Sequence, residues 1–520
     1  MEVRARPAFA SAVDCDIVVA GGGLGGVAAA LAGTSAGLHV CLTEVTSWLG
    51  GQITSQGVSA LDENQWIETT GATGSYRHLR ESIRAHYAPF LRSQPPDSDL
   101  NPGGCWVSGL CFEPKVAVES LDALIDPLVH SGKLSLFLRT ALVQATISRG
   151  SLRSVLAYDL VHHRLQRLNG KIFIDATELG DLLPLSGATF RQGADARSET
   201  GEPDAPTTSN PNALQSFTYP FVLAPGSTAS LAVRKPPSYD RDRDRFTFNV
   251  GNESGQPTHF GMFATTPGTP GSFWTYRRLI AHEQFIKARY SSDLSMINWD
   301  SNDVCDAAYL STDPVEQAQA MQHGKQVSLE FAWWLQHEAP KDNGQGRGYP
   351  ELFLRNDVLG TTDGLSQFPY IRESRRMLAL KTIREQDVAE PWQSGARAAT
   401  FNDTVGIGFY PIDIHSCGAE QKLPRSKPYQ IAAGSLISRS IPNLLAGGKA
   451  LGTTHVVNGG YRLQPTEWAI GEASGALAVA AIKKSVDAAV VVRSEKVLRE
   501  LQSNLLAEGH PLVWFDDVPV

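Results

Sequence analysis

Cys15–Ala20 (CDIVVA) is a short apolar, β-branched run that stops at GGGLGG, and the VAAALAGTSAG after it is built of strong helix formers. This pattern predicts a strand, a tight turn and a helix. A second apolar run, Leu38–Thr43 (LHVCLT), ends in Glu44 and completes a βαβ unit. Between 134 and 174 lie four short strand-like runs, LSLFLRT, LVQATIS, SVLAYDL and KIFIDAT, divided by Arg-Gly-Ser, His-His-Arg and Asn-Gly breaks. They predict a small meander that returns to the first sheet. From about Phe190 to Gln256 the chain is rich in Pro, Ser, Thr and Asp, and its charge run Asp240–Arg245 is expected to be a solvated loop. Residues 272–340 read as mainly helical, with apolar positions at helical spacing through AQAMQHGKQVSLEFAWWLQHEAP and with Trp333 and Trp334 as packing residues. Pro442–Lys484 repeats the opening order: a strand (NLLAGG), a polar loop, then a long helix (EWAIGEASGALAVAAIKK).

Composition narrows the classes. The chain has 520 residues, of which 42% are hydrophobic and 19% charged, enough for two to four compact units at roughly 150 residues each. Lys plus Arg number 46 against 54 Asp plus Glu, a net charge of −8, which is the wrong sign for tracking a nucleic-acid backbone. No stretch approaches the ~20 apolar residues of a membrane span, and MEVRARPAFASAVDC has no apolar core of signal-peptide length, so a cytoplasmic protein is expected. The six cysteines (Cys15, Cys41, Cys105, Cys111, Cys305, Cys417) are scattered without a CxxC pair, and they read as buried or idle thiols.

Gly21, Gly23 and Gly26 form GxGxxG directly after a predicted strand, with Glu44 closing the next strand. In that context the glycines permit a tight turn, close approach of a pyrophosphate and close helix–strand packing, while the helix start faces the anion. Glu44 is placed to accept ribose hydroxyls. The motif alone does not choose between NAD and FAD. In VTSWLGGQITSQG, Gly50 and Gly51 allow close backbone approach, and Thr54 and Ser55 offer hydroxyls to phosphate or ribityl groups.

GGGLGGVAAALA followed by TEVTSWLGGQITSQG resembles the FAD-binding entry of the two-dinucleotide-binding-domain flavoproteins with the glutathione-reductase-type fold. KIFIDATELGDLLPLSGA resembles their returning-strand motif, with Ala176 and Thr177 at matching positions and Glu178 where glycine is usual. NLLAGGKALGTTHVVNGGYRLQPTEWAIGEASGALA is similar to their C-terminal FAD segment, and PYIRESRRML and DTVGIGFYPIDIH add to the likeness. Together these stretches, about 15–76, 134–190 and 365–482, resemble the broad FAD-dependent oxidoreductase family.

The resemblance implies FAD as cofactor and an α/β architecture: a Rossmann-like FAD-binding domain with an inserted α+β substrate domain. The FAD domain is expected from 1–80, 120–190 and 426–485, the substrate domain from 191–425, and a C-terminal helix and tail from 486–520. The implied cofactor contacts are Gly21, Gly23, Leu24, Gly25, Gly26, Glu44, Val45, Gly50, Gly51, Gln52, Thr54, Ser55, Leu142, Ala176, Thr177, Gly447, Gly448, Gln464, Thr466 and Glu467. A helix starting near Pro465 would point unsatisfied N–H groups at the flavin N1/C2=O locus, where reduction adds negative charge.

His455, Asn458, Tyr461 and Arg462, in the loop before that helix, are the first active-site candidates, with loop scaffolding as the alternative. Arg462 suits a carboxylate clamp, and His455 or Tyr461 a proton transfer. Asp413 and His415, at i,i+2, would share one face of a strand as a carboxylate-oriented imidazole or as a structural pair. Arg372, Arg375 and Arg376 either bind a carboxylate or phosphate or, as the favoured reading, pair internally with Glu373 and other acids; Arg376 is kept as a candidate. No metal site is expected, because no third ligand and no HExxH follow.

The absence of a P-loop motif removes one common enzyme class, and GIGFYP at 406–411 does not make a second nucleotide domain. The expected activity passes a hydride between a small organic substrate and flavin N5, with dioxygen or an external electron carrier as the other partner. A flavin monooxygenase, a non-catalytic flavin-binding protein and an NAD-linked dehydrogenase are the rivals.

Overall fold

The computed structural model describes residues 8–93, 99–226, 233–251, 257–417 and 423–515. The chain opens with β1 (Ala8–Asp14) and β2 (Ile17–Ala20), then α1 (Leu24–Ser35), β3 (Val40–Thr43), α2 (Gly74–Tyr87), α3 (Pro114–His130) and β4 (Leu134–Phe137). The meander β5 (Thr140–Ser148), β6 (Ser151–Asp159) and β7 (Arg164–Asn169) is antiparallel, with its turns at the sequence breaks. β1 pairs parallel to β7 and extends this layer, a strand whose seven residues carry no clear alternation in the sequence. β8 (Ile172–Asp175) then returns to the first sheet beside β2.

The middle of the chain departs from expectation. Within the Pro- and Ser-rich stretch 190–256 lies β9 (Phe221–Pro225), buried at four of its five positions. The segment 272–313 is not mainly helical: it holds β10 (Arg278–Ile280) and β11 (Leu294–Ile297), and the long helix α4 begins only at Pro314 and ends at His337. Asp313 caps α4 by accepting from Val315 N–H (2.8 Å), and Pro314 takes the first helical position. With β12 (Leu352–Leu354) these strands form an antiparallel sheet of order β10-β11-β9-β12. Side-chain alternation along β9 serves two cores: Phe221 and Leu223 join an aromatic-rich cluster with Phe331 of α4, whereas Val222 and Ala224 join the larger cluster of the first sheet. The charge run 240–245 folds into exposed helical turns with surface ion pairs such as Arg241–Asp242 at 2.7 Å.

The C-terminal block completes the first sheet. β13 (Leu444–Ala446) pairs with β8, giving a parallel sheet of order β13-β8-β2-β3-β4. Ala20, Thr43, Asp175 and Ala446 align in register at its carboxyl edge, the side of an open α/β sheet where ligands bind. Residues 455–461, expected as loop, form the short helix α5 (His455–Tyr461), started by the Thr454 side chain. α6 (Gln464–Lys484) follows with Pro465 in its first turn. α1 and α6 cross backbone on backbone: a Cβ on Gly471 would lie 2.0 Å from the Gly25 carbonyl oxygen, and one on Gly475 would lie 2.7 Å from that of Ala29.

All six cysteines are paired, as Cys15–Cys41, Cys105–Cys111 and Cys305–Cys417, contrary to the expectation of idle thiols. Each pairing follows from proximity that the tertiary fold creates. Cys15 and Cys41 come from the neighbouring β2 and β3 region, and Cys305 and Cys417 are 112 residues apart in sequence. Among the described residues no helix is long and apolar enough to cross a membrane.

Candidate active site

Above the carboxyl edge, the first loop is built around close backbone approach. Gly21 adopts φ 93°, and a Cβ there would sit 2.3 Å from the Ala176 carbonyl oxygen. Gly26 packs on Gly21, and Gly25 on Gly447, where added Cβ atoms would fall 1.9 and 1.8 Å from carbonyl oxygens. Gly23 precedes α1, whose first-turn N–H groups have no intrahelical acceptor, and Leu24 is buried in the core. The turn carrying Gly50 folds against this loop through a Gly50 N–H to Gly22 carbonyl bond of 2.8 Å.

Glu44, at the end of β3, accepts from the Gly22 and Thr46 N–H groups at 2.8 Å each, and burial pushes its carboxyl up. A cavity of about 300 Å³ lies here, lined by Gly21, Glu44, Val45, Gly51, Ser55, Leu142 and Thr177, with Phe368 and Met321 reaching in from the middle of the chain. Thr54 has another job: its hydroxyl donates to the Leu49 carbonyl at 2.6 Å and closes the turn. Thr177 donates to Asp175 at 2.7 Å, and burial pushes Asp175 up to about 7. Gly447 continues the strand edge, donating its N–H to the Asp175 carbonyl at 2.7 Å.

A charged cluster spans the loop and the α6 start. Lys449 pairs with Glu178, the residue standing where glycine was expected, and Gln52 donates to Glu467 and to the Arg462 carbonyl, the latter at 2.9 Å. A Cβ on Gly23 would meet carboxylate oxygens of both Glu178 (2.8 Å) and Glu467 (3.2 Å). Burial, set against the Lys449 charge, pushes Glu467 up to about 7. Gln464 accepts from the Asp62 N–H at 3.2 Å, Thr466 lies 3.5 Å from the Tyr429 hydroxyl, and Gly448 approaches Glu467.

Beyond the α6 start lies a second cavity of about 230 Å³, walled by Arg277, Arg372 and Arg462 together with Tyr370, Tyr410, Asp413 and His415. Arg462 donates to the Tyr370 hydroxyl (2.7 Å) and Asp413 (3.1 Å), Arg372 pairs with Asp303 (3.0 Å), and Arg277 with Asp62 (3.4 Å). His415 stands between two carboxylates, Nδ1 at 3.1 Å from Asp303 and Nε2 at 3.4 Å from Asp413. Burial and Arg372 work against its charge, but the two aspartates override them and raise its pKa above 6.5. The Cys305–Cys417 bridge lies two residues beyond Asp303 and His415 in each strand of chain and fastens the two segments together. Asp413 and His415 sit in irregular chain rather than on a strand, and they meet through that folding. Gly459 of α5 lets the Asp413 backbone approach: a Cβ there would lie 2.7 Å from the Asp413 carbonyl oxygen.

Four of the expected catalytic residues are held elsewhere. His455 is 2.9 Å from Glu373, and Tyr461 is fully buried, stacked on Tyr429 and donating to the Gln430 carbonyl at 2.7 Å. Asn458 donates to the Lys449 carbonyl at 3.2 Å, and Arg376 is sealed against Asp195 at 2.7 Å and Glu373 at 3.4 Å. The arginine run of 372–376 divides: Arg375 and Arg376 pair internally, whereas Arg372 reaches the cavity. Arg277 and Asp62 escaped the sequence reading, since no motif surrounds them, and Tyr410 was not singled out within DTVGIGFYPIDIH. Asp300, Asp303 and His415 come close enough to one another to hold a metal ion, but Arg372 already pairs with Asp303 there.

A model of the family described as FAD dependent oxidoreductase matches residues 16–505. No curated protein sequence matches. Among solved structures, the chain is similar to a mutant form of E. coli quinol fumarate reductase FrdA, at 12% identity and TM-score 0.33, covering 96% of this chain and 74% of that one. It is also similar to a geranylgeranyl bacteriochlorophyll reductase-like protein from Thermoplasma acidophilum, at 9% identity and TM-score 0.32, covering 96% and 85%. A third is glycerol-3-phosphate dehydrogenase from Bacillus halodurans complexed with FAD, at 11% identity and TM-score 0.26, covering 59% and 52%.

The residues present fit FAD. Buried polar atoms of Gln52, Gln56, Glu178, Asn458 and Gln464 have no partner among the described residues, and they belong to the glycine loops and the segments around the α6 start. A cofactor with many donors and acceptors would engage them.

Proposed function

The chain belongs to the FAD dependent oxidoreductase family, and from that premise we propose that it oxidises or reduces a small organic substrate held in the arginine-walled cavity. Bound FAD would supply hydride transfer at N5, with dioxygen as electron acceptor or an external carrier as acceptor or donor. Everything else is done by the chain. Gly21, Gly51, Glu44 and Thr177 would hold the nucleotide half of the cofactor, and the N-terminus of α6 adds a favourable field for negative charge. Arg462, Arg372 and Arg277 bind and orient the substrate, and Tyr370 and Tyr410 help to exclude water. His415, held by Asp303 and Asp413, holds or moves a proton at its ring nitrogens. The pairing of all six cysteines favours folding in an oxidising compartment over the cytoplasm.

The observation that carries this reading is the convergence of three buried arginines and a carboxylate-held histidine just ahead of α6. An anaerobic screen of small organic compounds against the holoprotein tests it, read as loss of flavin absorbance. A compound that bleaches wild-type protein, and does so at least about a hundredfold more slowly with Arg462→Met, supports the assignment. Bleaching unaffected by that substitution would move the substrate elsewhere. Re-oxidation by air with peroxide release would choose dioxygen over a carrier.

A further inference from the structure

We propose that the second cavity takes an aromatic carboxylate, an inference that rests on the assignment of substrate to this cavity. The first observation concerns what its wall leaves unsatisfied. The Nε–H groups of Arg277, Arg372 and Arg462 are buried and have no partner among the described residues, and these are the cavity-wall side-chain atoms in that state. Each of these three buried groups is a donor that lacks an acceptor. An unsatisfied buried donor is costly, so a ligand that brings acceptors gains most here.

The second observation is geometric. Arg372 spends Nη1 on Ser216, Thr218 and Asp303, whereas Nη2 has one long contact, 3.4 Å, to Asn298. Nη2 is thus the arm of this guanidinium least engaged by the protein, and it is the one left for a carboxylate oxygen. The Arg277 Nη2 contacts to Asp62 and the Tyr276 hydroxyl are also long, at 3.4 Å each. Asp62, Asp303 and Asp413 each face one arginine and Asp300 also lines the wall, so the cavity carries no excess positive charge and suits a single carboxylate, held by direct guanidinium hydrogen bonds, better than a polyanion.

The third observation is the aromatic part of the wall. Trp106 stacks on Phe260 (5.8 Å, 3° between planes) and contacts Tyr276, while Trp299 meets both Phe260 and Tyr276 edge-on at 5.3 Å. Four rings touching in this way, two of them stacked and Trp299 edge-on to its neighbours, make an aromatic wall, and all four line the cavity. Such a wall favours an aromatic body through offset or edge-to-face contact. Arginine donors and ring wall together describe a ligand with a carboxylate on an aryl group.

The test uses full-length holoprotein titrated calorimetrically with benzoate, benzamide and acetate. Benzoate is expected to saturate and to bind at least about tenfold more tightly than either control. Arg372→Met should lower benzoate affinity at least about tenfold and leave benzamide unmoved, and Arg372→Lys should recover part of the loss. Equal affinity for benzoate and benzamide overturns the carboxylate, equal affinity for benzoate and acetate overturns the aromatic body, and no saturation by benzoate at tens of millimolar overturns both. If Arg372→Met does not fold, the wild-type ratios still decide. Protein that binds benzoate but takes up no FAD would sink the flavin-based reading while leaving this one intact; yellow protein that ignores benzoate would do the reverse.

Discussion

The two cavities on either side of the α6 start are built in different ways. The nucleotide side is assembled from short contiguous stretches, residues 21–26, 44–55, 176–178 and 447–448, in which backbone meets backbone at distances only glycine allows. The arginine side draws single side chains from Asp62, Arg277, Arg372, Asp413, His415 and Arg462, and its geometry is kept by ion pairs and a disulfide. A cofactor common to many enzymes can be held by a local pattern. A substrate particular to one is held by residues that only the tertiary fold brings together.

Breaking the glycine contacts should have the largest effect. Gly25→Ala places a methyl 1.8 Å from the Gly447 carbonyl oxygen, and it is expected to cost several kcal/mol and to give protein that is insoluble or colourless. Gly448→Ala, whose nearest neighbour would be 3.5 Å away, should retain FAD in the same absorption assay. On the other side, Arg462→Met should keep FAD yet slow substrate-dependent flavin bleaching by about 10²-fold or more, since it removes the donor to Tyr370 and Asp413 next to α6. Similar loss of FAD in both variants would erase the distinction between the two sides.

Separating the clamp from the scaffold gives a smaller effect. Cys305→Ser with Cys417→Ser should lower turnover about tenfold, without loss of flavin, by freeing Asp303 from His415. Cys15→Ser with Cys41→Ser, on the first sheet and outside the cavity wall, serves as the control and should leave turnover per bound flavin near wild type. Smaller still, Tyr461→Phe removes one buried hydrogen bond and should cost about 1 kcal/mol in denaturant unfolding with turnover nearly unchanged.

The acidic cluster sharpens the comparison through pH. Glu467 is raised to about 7 by burial, with Lys449, Glu178 and Gln52 facing it, so the folded apoprotein holds a proton that the unfolded chain releases near the ordinary value of 4.5. Stability from this group is present at low pH and is lost as pH rises from 4.5 toward about 7. Glu467→Gln should therefore flatten the fall in apoprotein melting temperature over that window, an effect of order ~1–3 kcal/mol. An unchanged slope would assign it to other buried carboxyls such as Asp175, also raised to about 7.

The contrast explains what could be read from the chain alone. The βαβ opening, the return of β8, the strand at 444–446 and the helix at Pro465 follow from apolar runs bounded by glycine or proline. α5 was hidden because Asn458, Gly459 and Gly460 are poor helix formers, and the Thr454 cap and packing on Asp413 override them. β9 was hidden in a stretch dominated by loop-forming residues, and burial on both faces leaves it no alternation. Arg372 stood in plain view among three arginines, but nothing local separates the one that reaches the cavity from the two that pair inside the protein. Cysteine pairing depends on contacts up to 112 residues apart, which spacing does not encode.

The most direct test of the account is the visible absorption spectrum of the purified protein, with the supernatant after acid precipitation assayed for released FAD. Flavin bands together with FAD in the supernatant are the predicted result. A colourless protein that also fails to take up added FAD would contradict it.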